Sequence, residues 1–244
     1  MLILFKNKRV IPYSMSRADG RGNEEFRAAF LKTKVLNQAK GSCYIELDQT
    51  KVMVGVFGPR QEERKFGFSE TGRLNCEVRL TSFAAGAGMN KQMQMAAERN
   101  MSAALEQALT PSVLLDRFPK AVMDVYVMVL ESDGSHVGAA TTAASTALAD
   151  ASCELFDMVP ACHVVRVNGS LLLDPTSSEE ALSDGSVLLA LQPSTNEVTQ
   201  LNMTGSWSAA ERRAALELAM GGCAQLKEVM RSTLLEAAAT APAS

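Results

Sequence analysis

The chain has 244 residues, enough for one larger domain or two small lobes around a sizeable core. Its formal charge of −3 and its pI near 5.6 exclude a protein that binds a polyanion over its whole surface. At 5% aromatic residues it is poor in the rings that base-stacking platforms need.

Five cysteines occur without C-x-x-C pairing, and the apolar start of MLILFKNKRV is too short for a signal sequence. No apolar run reaches membrane-spanning length. These features predict an intracellular protein in a reducing compartment.

In chain order, the first informative stretch runs from residue 17 to 59. A polar arm containing Gly20 and Gly22 leads into alternating apolar runs at 42–47 and 51–57, joined at Asp48-Gln49-Thr50. Alternation across a short polar turn predicts a β-hairpin with one buried face. Residues 60–70 read as a charged loop, 74–83 as a strand and 84–90 as a turn. Residues 91–109 have helical spacing, with Pro111 as a stop signal.

Residues 121–130 (AVMDVYVMVL) are apolar on both faces and predict a central, covered strand. Asp133-Gly134 is a turn. The Ala/Thr/Ser-rich stretch 138–157 predicts a helix buried against a sheet. Strands follow at 164–173 and 186–192, and 198–201 closes a hairpin after Asn196-Glu197. A last helix spans 208–239, with Ser208 and Glu211 as a capping box. The expected fold is α+β, two βαβα-type lobes whose mixed sheets pack against helices. The expected organisation is an N-terminal extension at 1–16, a single domain at 17–238 and a disordered tail at 239–244.

Several pieces of this stretch form an ordered set: Arg17-Ala18-Asp19-Gly20-Arg21, Glu25-Phe26-Arg27, Ala39-Lys40-Gly41-Ser42 with Glu46, Thr50-Lys51-Val52 and Gly58-Pro59. The set resembles the RNase PH family, which comprises phosphorolytic 3′→5′ exoribonucleases and the exosome ring subunits built on the same domain. That resemblance implies a phosphate site, D-G-G-T-R-T-A-A, after the buried strand. Here the segment is Asp133-Gly134-Ser135-His136-Val137-Gly138-Ala139-Ala140. Val137 stands in place of the arginine, Gly138 of the following threonine and His136 of the preceding one. A guanidinium holds phosphate through two parallel hydrogen bonds that a neutral side chain cannot supply.

His136 is open to two readings, a substitute phosphate ligand or general acid, and a surface turn histidine. The family's two acidic positions fall on Glu180 and Ser186, so one carboxylate is missing. Asp184 is nearby but reads as a turn residue before a strand. Glu106 stands near a position where active members carry an arginine.

The resemblance therefore implies a retained fold with a degenerate reaction centre, without catalytic residues, bound metal or cofactor. It points to the non-catalytic ring subunits of the eukaryotic RNA exosome, the Mtr type in particular, through VLNQAKGSCYIEL, VFGPRQ, ALADASCELFDMV and LLLDPTSSEEALSDGSV. Partners implied are paralogous RNase PH-like subunits in a hetero-hexameric ring, cap proteins with RNA-binding domains, exosome-associated nucleases and single-stranded RNA, with no membrane. The implied location is the nucleus, nucleolus included, and the cytoplasm. The alternative is an active phosphate-dependent exoribonuclease using His136, Glu180 and Asp184.

For RNA contact the candidates are Arg60, Arg64 and Lys65, extended by Arg73 and Arg79, in a region that also holds Glu62, Glu63 and Glu70. Arg17, Asp19 and Arg21 are expected to pair with Glu25 or with a neighbouring subunit. Among the methionines, Met89 and Met95 fall off the apolar face and suit an interface. Met93, Met101 and Leu105 fit a helix core.

Overall fold

The computed structural model describes residues 17, 19–61, 71–84 and 90–239. The first sheet holds β1 (Ala29–Thr33), β2 (Gly41–Leu47), β3 (Thr50–Gln61), β4 (Arg73–Leu80) and β5 (Ala121–Glu131), in the order β1-β2-β3-β5-β4. Among the described residues only β4 and β5 pair in parallel, and α1 (Lys91–Leu109) makes the crossover that a parallel pair requires. The expected hairpin is β2–β3, closed by Asp48 and Gln49 with Asp48 in the left-handed region at φ 54°. β1 was not anticipated, because five residues carry too little alternation to stand out.

The inner face is aliphatic: Cys43, Ile45 and Leu47 on β2, Val52, Val54 and Val56 on β3, and Val125, Val127 and Val129 on β5 are all buried. The outer face corrects the prediction for 121–130. Tyr126 is 44% and Met128 46% exposed, and Phe57 sits edge-on to Tyr126 at 5.7 Å. Helices cover one side of β5, and its apolar outer residues face outward instead of into a second layer.

Helix α2 (His136–Asp150) is the centre of the molecule, buried from Gly138 to Leu148. Its alanines allow close approach: a Cβ added at Gly41 of β2 would lie 2.2 Å from the Ala151 nitrogen. Buried hydroxyls find partners within the helix, Thr141, Thr142 and Thr146 each donating to the carbonyl four residues back. The Thr142 and Ser145 oxygens also accept from the backbone of Ala161 and Val159. The helix ends at Asp150, short of the predicted 157, where Ala151 turns out of helical geometry.

The second sheet comprises β6 (Ala161–Val167), β7 (Ser170–Leu173), β8 (Gly185–Gln192) and β9 (Glu197–Gly205), ordered β7-β6-β8-β9 and antiparallel throughout. The single strand predicted at 164–173 is a hairpin. Asn168-Gly169, both at positive φ, form a tight turn with a known preference for this pair. Short helix α3 (Ser177–Ala181), capped reciprocally by Thr176 and Glu179, was not predicted. Helix α4 (Ala209–Ala239) begins at the predicted capping box, with Ser208 and Glu211 bonding each other's backbone. The α+β fold with two sheets packed against helices is thus as expected, although only the first sheet is mixed. Ala239 belongs to α4, and residues 1–16 and 240–244 lie outside the described residues.

Candidate functional site

The site forms where β5 turns into α2. Gly134 at φ 79° and Ser135 at φ 53° make the turn, and the chain at 175–177 passes directly over it. A Cβ on Gly134 would lie 2.4 Å from the Pro175 carbonyl oxygen, so only glycine fits. Ser177 donates to Asp133 from its hydroxyl at 2.5 Å and its backbone at 3.2 Å. The Ser135 hydroxyl donates to the Pro175 carbonyl at 3.2 Å.

A helix N-terminus is an anion site, because its first N–H groups are unpaired and carry the positive end of the macrodipole. At α2 an anion is already present. The Glu180 carboxylate accepts from the Ser135 N–H at 2.7 Å and lies 3.0 Å from Nδ1 of His163. Burial pushes the Glu180 carboxyl up, but the His163 contact and the Ser135 N–H hold it below the usual range.

His136 is the first residue of α2, half-buried, with Nδ1 3.0 Å from the Ser132 hydroxyl. This corrects the surface-turn reading. Burial moves its pKa below the ordinary histidine value, against the pull of Glu180. Val137 packs against the apolar core, and a side chain at Gly138 would press on the Ala161 carbonyl at 3.1 Å. The void left beside Ser135, His163 and Asp174 is about 10 Å³, room for a single water at most.

Ser186 on β8 registers with Val165 of β6, two residues from His163, and its hydroxyl lies 2.8 Å from that of Thr204. Asp184 is exposed and its N–H donates to the Arg166 carbonyl, as suits a turn before β8. Among the described residues, no three His, Cys, Asp or Glu side chains converge as metal ligands would.

Three arginines of the N-terminal arm are engaged internally. Arg27, 2% exposed, reaches both Asp174 oxygens at 2.9 and 2.8 Å, Thr50 Oγ1 at 3.2 Å and the Asp133 carbonyl at 2.7 Å. Arg17 donates to Glu179 at 2.8 and 2.6 Å and to the carbonyls of Leu173 and Asp174. Arg21 pairs with Asp19 at 2.5 Å and donates to the Glu25 carbonyl at 3.2 Å. Among the described residues the carboxylate that Arg17 meets is Glu179, not Glu25 as expected. Burial pushes the Asp174 carboxyl up, yet the bonds from Arg27 keep it below the usual range.

The RNA candidates fall into two places. Arg60 on β3 and Arg73 on β4 both register with Val122 of β5, so they flank one end of the first sheet. Arg79 registers with Met128, about 20 Å farther along at 3.3 Å per residue. Arg60 pairs with buried Asp124, which Asn75 also holds at 2.8 Å. Arg79 bonds Glu77 at 2.5 Å and Glu98 at 3.3 Å. Arg64 and Lys65 lie outside the described residues, as do Glu62, Glu63, Glu70 and Met89.

On α1, Glu106 and Met95 are exposed, and Met101 and Leu105 are buried. Met93, predicted for the core, is 59% exposed, because the buried stripe of α1 begins only at Glu98. His163 carried no local signal that would have marked it, whereas Glu179 closes a T-x-x-E capping box with Thr176 that was legible in the sequence.

Residues 25–154 match the model of the 3′ exoribonuclease family, domain 1, and residues 157–222 that of domain 2. The chain belongs to this family, that of RNase PH. It is 38% identical to the exosome complex component RRP41-like of Arabidopsis thaliana over 91% of this chain and 86% of that protein. Identity to the human exosome complex component MTR3 is 37%, covering 89% and 86%. Among solved structures, rice (Oryza sativa) Rrp46 superposes with a TM-score of 0.79 at 24% identity, covering 90% of this chain and all of that one. The Archaeoglobus fulgidus exosome with RNA bound to the active site gives 0.75 at 20%, covering 88% and 92%. At such identities these two likenesses establish the fold.

Proposed function

We propose that this chain is a non-catalytic subunit of an exosome ring, forming part of its wall and guiding single-stranded RNA toward separate nucleases. The observation that carries the reading is the Glu180 carboxylate bonded to the Ser135 N–H at the N-terminus of α2, with Val137 where the family's phosphate-binding guanidinium is expected. A phosphate entering there would meet the Glu180 carboxylate, while the nearby Arg27 guanidinium is already bonded to Asp174, so like-charge repulsion opposes binding. Relatives named as exosome components, in a plant and in human, support the assembly part of the reading.

The exposed Phe57, Tyr126 and Met128 on the outer face of the first sheet fit the apolar centre of an interface with a paralogous ring neighbour. Cap proteins and exosome-associated nucleases would be further partners, and the nucleus, nucleolus and cytoplasm the places of work. Arg60 and Arg73, with Arg64 and Lys65 on the segment between them, are the residues proposed to meet RNA, and Arg79 at the sheet's other end is a weaker candidate.

Co-expression with paralogous subunits tests the assembly. The expected outcome is one complex of hexameric ring mass, by size exclusion and native mass spectrometry, that contains this chain. Elution of the chain alone beside every paralogue contradicts the reading.

A further inference from the structure

Between α1 and β9 lies a groove of about 390 Å³ that the reading above does not use. Its helical wall is Asn100, Ala103, Ala104 and Gln107, spaced i, i+3, i+4 and i+7, hence one face with amides at the ends and a small-residue floor between. Its other wall is the run of residues 199–202. Alternate strand side chains leave on opposite faces, so four consecutive residues border one space only along the strand's backbone edge. Among the described residues β9 is the last strand of its sheet, and its outward N–H and C=O groups have no strand to pair with.

Two further observations converge there. In the register with β8, Ala190 faces Gln200 and Leu191 faces Val198, so Thr199 is the extra residue of a β-bulge. Bulges break the alternation and re-aim side chains. The Thr199 hydroxyl and the Gln200 side-chain carbonyl are buried, and among the described residues neither has a hydrogen-bond partner. Orphaned buried polar atoms are uncommon in native proteins and mark a missing partner. No charged side chain lines the groove, which disfavours a nucleic acid, whose phosphates need cations.

We propose that the β9 edge is a docking site for an extended, uncharged peptide segment of a protein partner. The segment adds as a fifth strand of the second sheet. Its backbone pairs with β9, small side chains lie over Ala103 and Ala104, and polar ones meet the exposed amides of Asn100 and Gln107, with Thr199 and Gln200 re-aimed to bond as the segment docks. Four residues of β9 give about 13 Å of pairing length. The proposal holds whether or not the α2 site is catalytic.

The test is an array of short overlapping peptides from the proteins that co-purify with the chain, probed with the purified chain. A short oligouridylate and sedimentation of the chain alone run beside it. Uncharged peptides are expected to bind, and methylating alternate backbone nitrogens of the best one should weaken it by roughly tenfold or more in one phase of the alternation only. Ala103→Arg, on an exposed helix face, should abolish binding with the thermal midpoint unchanged, and Thr199→Val should weaken it. The proposal is overturned if no peptide binds, or if binding ignores methylation or Ala103→Arg. Occupation of the groove by oligouridylate or by a second copy of the chain overturns it equally.

Discussion

Asp174 and Arg27 tie the two halves of the chain together at the level of single side chains. Both are buried, and Arg27 meets the carboxylate through its backbone N–H and two guanidinium nitrogens. Removing one member of such a pair leaves a buried charge uncompensated, which costs about 3–5 kcal/mol. Arg27→Ala should therefore be destabilised by that order in denaturant unfolding.

The same pair sets an acid dependence. The folded carboxyl of Asp174 titrates below its unfolded value of about 3.9, so its contribution is complete above that pH and is lost as pH falls through the folded value. Glu179 and Glu180, also held below their ordinary range, act in the same sense. Wild-type stability should decline below about pH 4, and Asp174→Asn, weaker at pH 7, should decline less steeply. Parallel curves would contradict the assignment. None of this pairing was legible in the sequence. Arg17–Glu179 and Arg27–Asp174 join residues 162 and 147 positions apart, and no periodicity encodes such a meeting.

Among the elements, the signals that were read correctly are local. The β2–β3 hairpin alternates on both sides of its turn, α1 matches its predicted bounds of 91–109, and α4 starts at its capping box. The failures are equally physical. β1 and α3, at five residues each, are shorter than any reliable period. The exposed outer face of β5 depends on which layers exist, a property that residues 121–130 do not contain. Val137 and Gly138 were read from sequence as departures from the family's phosphate site, but the carboxylate lying against the α2 N-terminus was not foreseen. Helix α2 makes a testable claim of its own. Gly41→Ala puts a methyl 2.2 Å from the Ala151 nitrogen and 2.4 Å from the Ala147 carbonyl oxygen, both backbone atoms that cannot swing aside. Overpacking of this kind costs about 1–3 kcal/mol, read as a lower midpoint in thermal unfolding. An unchanged midpoint would mean that α2 is not clamped against β2.

Across the whole molecule, charge is distributed to hold the fold and its surfaces are left for partners. The arginines of the N-terminal arm bond carboxylates and carbonyls of the second half, so the clasp that joins the lobes uses cations which a phosphate site would otherwise need. Among the described residues, apolar side chains on the outer sheet face are exposed and the β9 edge has no paired strand. On the function proposed above, such a chain would contribute shape and contacts to an assembly and leave the chemistry of RNA cleavage to other subunits.

Phosphorolysis by the assembled ring tests that account most directly. A labelled oligoribonucleotide is incubated with magnesium and inorganic phosphate, comparing rings that carry the wild-type chain with rings that carry Glu180→Ala. The account predicts the same rate of nucleoside diphosphate release from both, with nothing attributable to this chain. Release that depends on Glu180 would contradict it.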